Sequence, residues 1–170
     1  MKTAHASFVL SWCRGSLILL LSMAASACMP APGTQNTPAA GSQMSRAIMD
    51  PYLKISAALA DDRTDEVHAA AGSIVTAATA LGAPAMKIDG AALQLAAASE
   101  AAPPDIQDVR DKFGTLSEAI DTYMTGLHLT PPDGVKVAYC PMANKPWMQE
   151  GATLSNPYYG KEMPTCGNFR

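Results

Sequence analysis

The sequence lacks most of the signatures that identify enzymes and nucleic-acid-binding proteins. It has no glycine-rich phosphate loop, no dinucleotide fingerprint, no serine nucleophile elbow and no paired metal-binding histidines. No general base, nucleophile and orienting group occur together, so we expect no enzymatic activity. The 12 basic residues form no cluster and are outnumbered by 15 acidic ones, which argues against nucleic acid as a partner.

Long apolar runs are also absent, and the one short run lies at the N-terminus. Residues 1–27 contain Lys2 and Arg14, the apolar segment 17–21 and the small residues 25–27. This order is typical of an export signal peptide, and the run is too short to span a bilayer comfortably. Its removal takes away two basic residues and no acidic one, so the net charge falls from −3 to −5.

A cysteine follows the small residues directly. The segment Ala-Ser-Ala-Cys28 resembles a bacterial lipobox, with Ala25 where leucine is usual. It predicts lipidation of Cys28; ordinary signal-peptidase cleavage beside an incidental cysteine is the alternative. Residues 28–43 are rich in Pro, Gly and polar residues and predict a flexible linker. Met29 supplies no aspartate-type inner-membrane retention signal, so we expect a periplasmic protein that its lipid anchors to the outer membrane.

Residues 44–170 predict one all-α domain, an antiparallel four-helix bundle with an irregular C-terminal tail. Apolar residues recur at helical spacing in four segments joined by short connections. The first helix begins at Asp50 or near Ser45, and the third begins at Asp89. The fourth has the clearest stripe: Ile106, Val109, Phe113, Leu116, Ile120, Tyr123 and Leu127. Gly114 interrupts it, which predicts a close neighbour there because glycine disfavours a helix.

The tail, residues 135–170, starts with a short strand-like alternation and continues as turns. It concentrates sulfur in Cys140, Met142, Met148, Met163 and Cys166. Thiolate and thioether ligands favour Cu(I) and similar soft ions. If its two ends meet, Cys140, Met142, Met163 and Cys166 converge on one ion. Met148 and His128 are the reserve ligands.

The same cysteines also predict a disulfide. Cys13 leaves with the signal and Cys28 is lipidated, so Cys140 and Cys166 are the two that remain. In an oxidising compartment such a pair most often forms a bridge. A loop of about 25 residues closed in this way gains on the order of 3 kcal/mol of stability. The methionines would then fill gaps against Trp147, Tyr158 and Tyr159. The alternatives are exclusive at any moment, because a bonded pair offers no thiolates.

The tail resembles the bacterial family catalogued as domain of unknown function 3347. The likeness lies in Tyr-Cys-Pro-Met-Ala at residues 139–143, Asn-Pro-Tyr-Tyr-Gly at 156–160, Met163 and Cys166-Gly167. It covers residues 50–167, nearly the whole predicted mature domain. Members are typically exported, and the domain also occurs on periplasmic adaptors of copper and silver efflux systems. The resemblance carries Cys140, Met142, Met163 and Cys166 over as motif residues. Relatives often have a histidine immediately before the motif tyrosine or cysteine, and at these two positions this chain has Ala138 and Tyr139.

We therefore expect an exported lipoprotein that binds a soft metal ion, copper(I) above all, as scavenger, chaperone or efflux accessory. Its partner would be a heavy-metal efflux adaptor or another envelope protein. The alternative is a non-metal interaction module of the envelope. In that case Cys140–Cys166 is a structural disulfide, and the aromatic tail packs on the bundle or docks on a partner.

Overall fold

The computed structural model of the protein describes residues 42–170. The predicted signal peptide, the predicted lipidation site Cys28 and most of the predicted linker lie outside the described residues. Four helices come first: α1 (Arg46–Ala60), α2 (Val67–Leu81), α3 (Met86–Ala98) and α4 (Ile106–Gly126). Three strands follow: β1 (Val135–Cys140), β2 (Lys145–Glu150) and β3 (Asn168–Phe169). Short 3₁₀ turns occupy Ala83–Ala85 and Gly160–Glu162.

Side-chain caps fix the starts of two helices. Ser45 caps α1 by accepting a hydrogen bond from the Ala47 N–H at 3.3 Å, so the start near Ser45 is correct and the start at Asp50 is wrong. Pro51 lies inside α1. Asp105 caps α4 through the Gln107 N–H at 2.9 Å. The third helix begins before Asp89 because the preceding 3₁₀ turn leads directly into it.

The helices pack side by side in chain order, α1 on α2, α2 on α3 and α3 on α4. The short connections make neighbours antiparallel. Their apolar stripes form the core, where the α1 residues Ile48, Tyr52, Ile55 and Leu59 are fully buried. Of the α4 stripe, the five residues from Val109 to Tyr123 are also buried.

The prediction of an all-α fold is wrong, because the C-terminal segment forms a three-stranded antiparallel sheet in the order β2-β1-β3. Val135 pairs with Glu150 and Cys140 with Lys145, so a four-residue turn closes the β1–β2 hairpin. Pro146 lacks an N–H, but β2 is an edge strand, where proline is tolerated. The domain is thus mixed α and β.

Strand β2 packs against both α1 and α4. The sheet therefore closes the seam between these two helices, which in a four-helix bundle would pack directly on each other. The Tyr52 ring of α1 stacks on Phe113 of α4 with centroids 5.0 Å apart. The Tyr52 hydroxyl lies 2.7 Å from the Ser117 hydroxyl and accepts the Met148 N–H at 3.2 Å. One buried tyrosine therefore links two helices and the edge strand.

Two residues of α4, Gly114 and Arg110, contact the C-terminal segment. A methyl group on Gly114 would lie 2.8 Å from Cε of Lys145, whose ammonium donates to Glu118 at 2.8 Å. This close neighbour confirms the expectation for Gly114. Arg110 is buried and donates to the carbonyl oxygens of Pro157 and Leu59, each at 3.0 Å.

Candidate functional site

The candidate site is a pair of thiols at one end of the sheet. Cys140 is the last residue of β1, and Cys166 lies two residues before β3. Antiparallel pairing of Tyr139 with Asn168 brings these chain segments together, although they are far apart in sequence. Cys140 is fully buried, Cys166 is half-buried, and both are free thiols.

Asn156 holds the two cysteine segments together. Its side chain is fully buried, and its amide nitrogen donates to the Cys166 carbonyl at 2.6 Å and to the Cys140 sulfur at 3.3 Å. Its amide oxygen accepts the backbone N–H groups of Tyr158 at 2.8 Å and Tyr159 at 3.3 Å. Every polar atom of this side chain is thus used inside the site.

A second donor reaches the Cys140 sulfur from the hairpin turn. The Ala143 N–H lies 3.4 Å from this sulfur, on the turn that joins β1 to β2. The sulfur therefore receives hydrogen bonds from both Ala143 and Asn156. Such outer donors orient sulfur ligands and suit a sulfur that carries negative charge.

The Cys166 thiol resists ionisation. Burial raises its pKa above the ordinary value of 9.0, and the charge and hydrogen bond of the neighbouring Cys140 sulfur raise it further. Asn156 donates both to the Cys140 sulfur and to the Cys166 carbonyl, so the two cysteines lie side by side. A metal that binds Cys166 as thiolate must displace its proton, so metal affinity should increase with pH.

Two of the predicted methionines lie on turns beside the thiols. Met142 belongs to the hairpin turn after Cys140 and is 61% exposed. Met163 is half-buried, and its carbonyl accepts the Cys166 N–H at 3.2 Å. Their thioethers therefore lie on the two segments that the sequence predicted to meet.

The two reserve ligands do not join the pair. Met148 of β2 pairs with Val137 of β1, so these two side chains lie on the same face of the sheet. Successive residues of a strand face opposite sides, so Cys140 shares its face with Ala138 and not with Val137. Met148 therefore lies on the face opposite the Cys140 side chain. His128 is exposed, just after the end of α4. Gly114 of α4 lies beside Lys145, which pairs with Cys140 at the turn end of the hairpin. From Gly114 to His128 the helical rise is about 20 Å, so His128 is far from the thiols.

The tail aromatics are structural. Trp147 and Tyr158 are buried and meet edge to face with centroids 6.1 Å apart. The Tyr158 hydroxyl donates to the Pro146 carbonyl, and the Trp147 ring would clash with any side chain at Gly167, 2.6 Å from its methyl position. Tyr159 is half-buried. The aromatic tail thus packs on the domain, and two of its three rings offer little surface to a partner.

The donor set limits the metals that suit the site. Within residues 42–170, no three His, Cys, Asp or Glu side chains group closely enough to hold a metal ion. Structural zinc takes four such ligands and catalytic zinc three. Two thiols, with methionines on the two adjoining chain segments, are instead donors of the soft type that selects Cu(I). The chemistry of the donors therefore fits a soft monovalent ion.

Sequence reasoning missed Asn156 and Arg110. Asn156 was visible only as a turn residue in the Asn-Pro-Tyr-Tyr-Gly segment, although that segment carried part of the resemblance. Arg110 follows Val109 of the core stripe, and no local pattern indicates that this charged side chain is buried. The structure instead buries it and pairs it with Asp62, whose pKa it lowers by a hydrogen bond of 2.6 Å.

Comparison with protein families, curated proteins and solved structures finds no match for this chain. The resemblance to domain of unknown function 3347 therefore stays a prediction. None of the helices in residues 42–170 is long and apolar enough to cross a membrane.

Proposed function

We propose that the protein binds a soft metal ion, Cu(I), through Cys140 and Cys166, with Met142 and Met163 as additional ligands. The observation that carries the proposal is a pair of free thiols whose chain segments Asn156 joins, and the Cys140 sulfur accepts N–H bonds from Asn156 and Ala143. Thiolate and thioether ligands prefer Cu(I) to harder ions.

The exposure of the ligands suits metal transfer. Cys140 is fully buried, Cys166 is half-buried and Met142 is 61% exposed. A graded set of this kind lets an incoming ion meet an exposed thioether first and reach the buried thiol by ligand exchange. The protein would then act as a copper scavenger, chaperone or efflux accessory in the periplasm, held at the outer membrane by lipidated Cys28.

The test is a competition titration of Cu(I) under reducing, oxygen-free conditions with a chromogenic chelator. Cys13 and Cys28 are replaced by serine so that two thiols remain. Cys140→Ser and Cys166→Ser should each weaken binding by at least about 100-fold, and Met142→Leu by about tenfold. Met86→Leu is the matched control, because Met86 is 69% exposed on α3. Binding that survives Cys140→Ser undiminished contradicts the proposal.

A structural disulfide is the second candidate, and the proximity of the same two sulfurs favours it. Its formation would remove two protons and two electrons from the thiols, with the electrons taken up by an oxidant of the compartment. The mass of protein isolated from the periplasm without reductant would be two daltons lower than that of the reduced chain. Free thiols in that sample would exclude a permanent bridge.

A further inference from the structure

The two cysteines of the candidate site differ in their access to solvent. Cys140 is fully buried at the end of β1, whereas Cys166 is half-buried on the irregular segment that precedes β3. A thiol that reacts with a dissolved disulfide must be accessible, and a second thiol must be within its reach to complete the exchange. Cys166 is therefore the member that an external reagent meets first.

Asn156 keeps Cys140 within reach of Cys166. Its Nδ2 atom donates to the Cys140 sulfur at 3.3 Å and to the Cys166 carbonyl oxygen at 2.6 Å, so these two acceptors are no more than 5.9 Å apart. The next residues along the chain also touch, because a methyl group on Gly167 would lie 2.8 Å from the Tyr139 carbonyl oxygen. These contacts are of the order that a bridge requires, since bridged cysteines have Cα atoms about 4.4–6.8 Å apart.

The surroundings of the Cys140 sulfur favour its reduced form. The N–H groups of Ala143 and Asn156 donate to this sulfur at 3.4 and 3.3 Å. A thiolate accepts such bonds more strongly than a neutral disulfide sulfur because it carries negative charge. A pair whose reduced form is stabilised in this way makes a disulfide that is readily reduced again. The two donors thus distinguish this pair from a permanent structural bridge.

The same two sulfurs are the thiolate ligands of the copper site, so redox control of metal binding rests on the proposed function. A sulfur that is bonded in a disulfide offers no thiolate. Met142 and Met163 then remain as neutral thioether ligands, and the site loses both of its charged donors. Bridge formation and metal binding therefore exclude each other.

We propose that Cys140 and Cys166 form a reversible dithiol–disulfide couple that controls metal binding. The N–H groups of Asn156 and Ala143 poise the couple toward the reduced form, which binds the metal. Closure of the bridge by a disulfide of the compartment releases the ion, and reduction restores the site.

The reaction is thiol–disulfide exchange. The Cys166 thiolate attacks one sulfur of the external disulfide, which breaks that S–S bond, forms a mixed disulfide and releases one thiolate. The Cys140 thiolate then attacks the Cys166 sulfur, which forms the internal bridge and releases the second thiolate. The pair loses two electrons, and the external disulfide gains them. In the metal-free protein the two released thiolates take up the two protons of the original thiols.

The test uses the full chain with Cys13 and Cys28 replaced by serine. Metal-free protein is treated with 2-hydroxyethyl disulfide, because exchange acts on thiols and not on methionine thioethers. After removal of the reagent, its Cu(I) affinity is compared with that of the reduced protein by competition with a chromogenic chelator without oxygen. We expect a mass two daltons lower, Cu(I) binding at least about 100-fold weaker, and full recovery of binding with a phosphine reductant.

Two variants test the parts of the couple. Cys140→Ser should stop at the mixed disulfide, so its mass should rise by one half of the reagent. Asn156→Ala removes a donor to the Cys140 sulfur and should shift the equilibrium toward the bridge about fivefold in a buffer of reduced and oxidised dithiothreitol. Asn168→Ala is the matched control, because Asn168 is exposed, and it should leave this equilibrium unchanged.

Reversible bridge formation with reversible loss of Cu(I) binding, and a shift in Asn156→Ala alone, support the proposal. Three results overturn it: no bridge or one that the reductant does not reopen, undiminished Cu(I) binding by the bridged protein, or equal equilibria for the two asparagine variants. A reduced protein that does not bind Cu(I) refutes the proposed function and the redox control together. Normal Cu(I) binding without a reversible bridge refutes the redox control alone. The comparison of bridged and reduced protein decides the proposal even if Asn156→Ala fails to fold.

Discussion

Asn156→Ala is the substitution that best tests how the candidate site is built. The change removes four hydrogen bonds: two to the Cys166 carbonyl and the Tyr158 N–H, at 2.6 and 2.8 Å, and two longer ones, at 3.3 Å. It also leaves the buried Tyr158 N–H without its partner. This side chain joins Cys140 of β1 to Cys166, which lies just before β3. The free energy of unfolding and the affinity for Cu(I) should therefore fall together.

The magnitude follows from the individual bonds. The two short bonds contribute about 1 kcal/mol each, and the two longer ones less. The expected loss is therefore about 2–4 kcal/mol, a large part of the roughly 5–15 kcal/mol that stabilises a typical domain. With a urea m-value of about 1–3 kcal/mol/M, the unfolding midpoint should fall by about 1–2 M.

The assay is urea unfolding followed by far-UV circular dichroism, with Cu(I) competition under native conditions. Asn168→Ala is the matched control, because Asn168 is exposed and contributes only its backbone to β3. A midpoint shift for Asn156→Ala no larger than that of Asn168→Ala would refute the reasoning. Unchanged Cu(I) affinity in a folded Asn156→Ala protein would show that the amide does not support the sulfur site.

Two further predictions concern the contacts that join α4 to the C-terminal segment. Gly114→Ala should leave the free energy of unfolding of the native chain nearly unchanged, because a gain of about 1 kcal/mol in helix propensity is offset by a clash with Lys145. In a Lys145→Ala background the clash is absent, so the same substitution should stabilise the protein by about 1 kcal/mol. Arg110→Met should destabilise by about 3 kcal/mol, since two carbonyls lose their buried donor and Asp62 loses its cation. The lowered pKa of Asp62 gives stability that is present above about pH 4 and is lost as the pH falls through the folded value, so Arg110→Met should flatten this acid dependence.

Chemical unfolding at several pH values checks both predictions. A Gly114→Ala effect that is the same with and without Lys145 would contradict the proposed clash. An Arg110→Met protein whose stability still falls as steeply as the native protein below about pH 4 would show that Asp62 is not the group responsible.

The helices could be predicted because their information is local. Five of the seven residues of the α4 stripe are buried where the spacing of apolar residues predicted, and Asp105 is of a residue type that favours the cap position it occupies. Gly114 predicted that another residue approaches the helix closely, but not that this residue is Lys145. Such signals depend on residues within one or two helical turns, so a single sequence contains them.

The sheet could not be predicted in the same way. β2 contains Pro146 and ends in polar residues, and only its position at the sheet edge makes the proline acceptable. β3 is two residues long and pairs with β1 across nearly thirty residues of chain. Only the strand-like alternation at the start of the tail indicated a strand, and it became β1. Local periodicity gives no signal for a strand defined only by its partner, so the rest of the tail was interpreted as turns.

The sequence by itself determined the four helices, the sulfur-rich tail and the choice of Cys140 and Cys166 as the central pair, because residue type and helical spacing are local properties. Tertiary structure decided that these thiols are neighbours, that Asn156 binds both cysteine segments and that Met148 faces away. It also decided that a sheet closes the seam between α1 and α4. These are consequences of non-local pairing, in which a residue's surroundings come from distant parts of the chain.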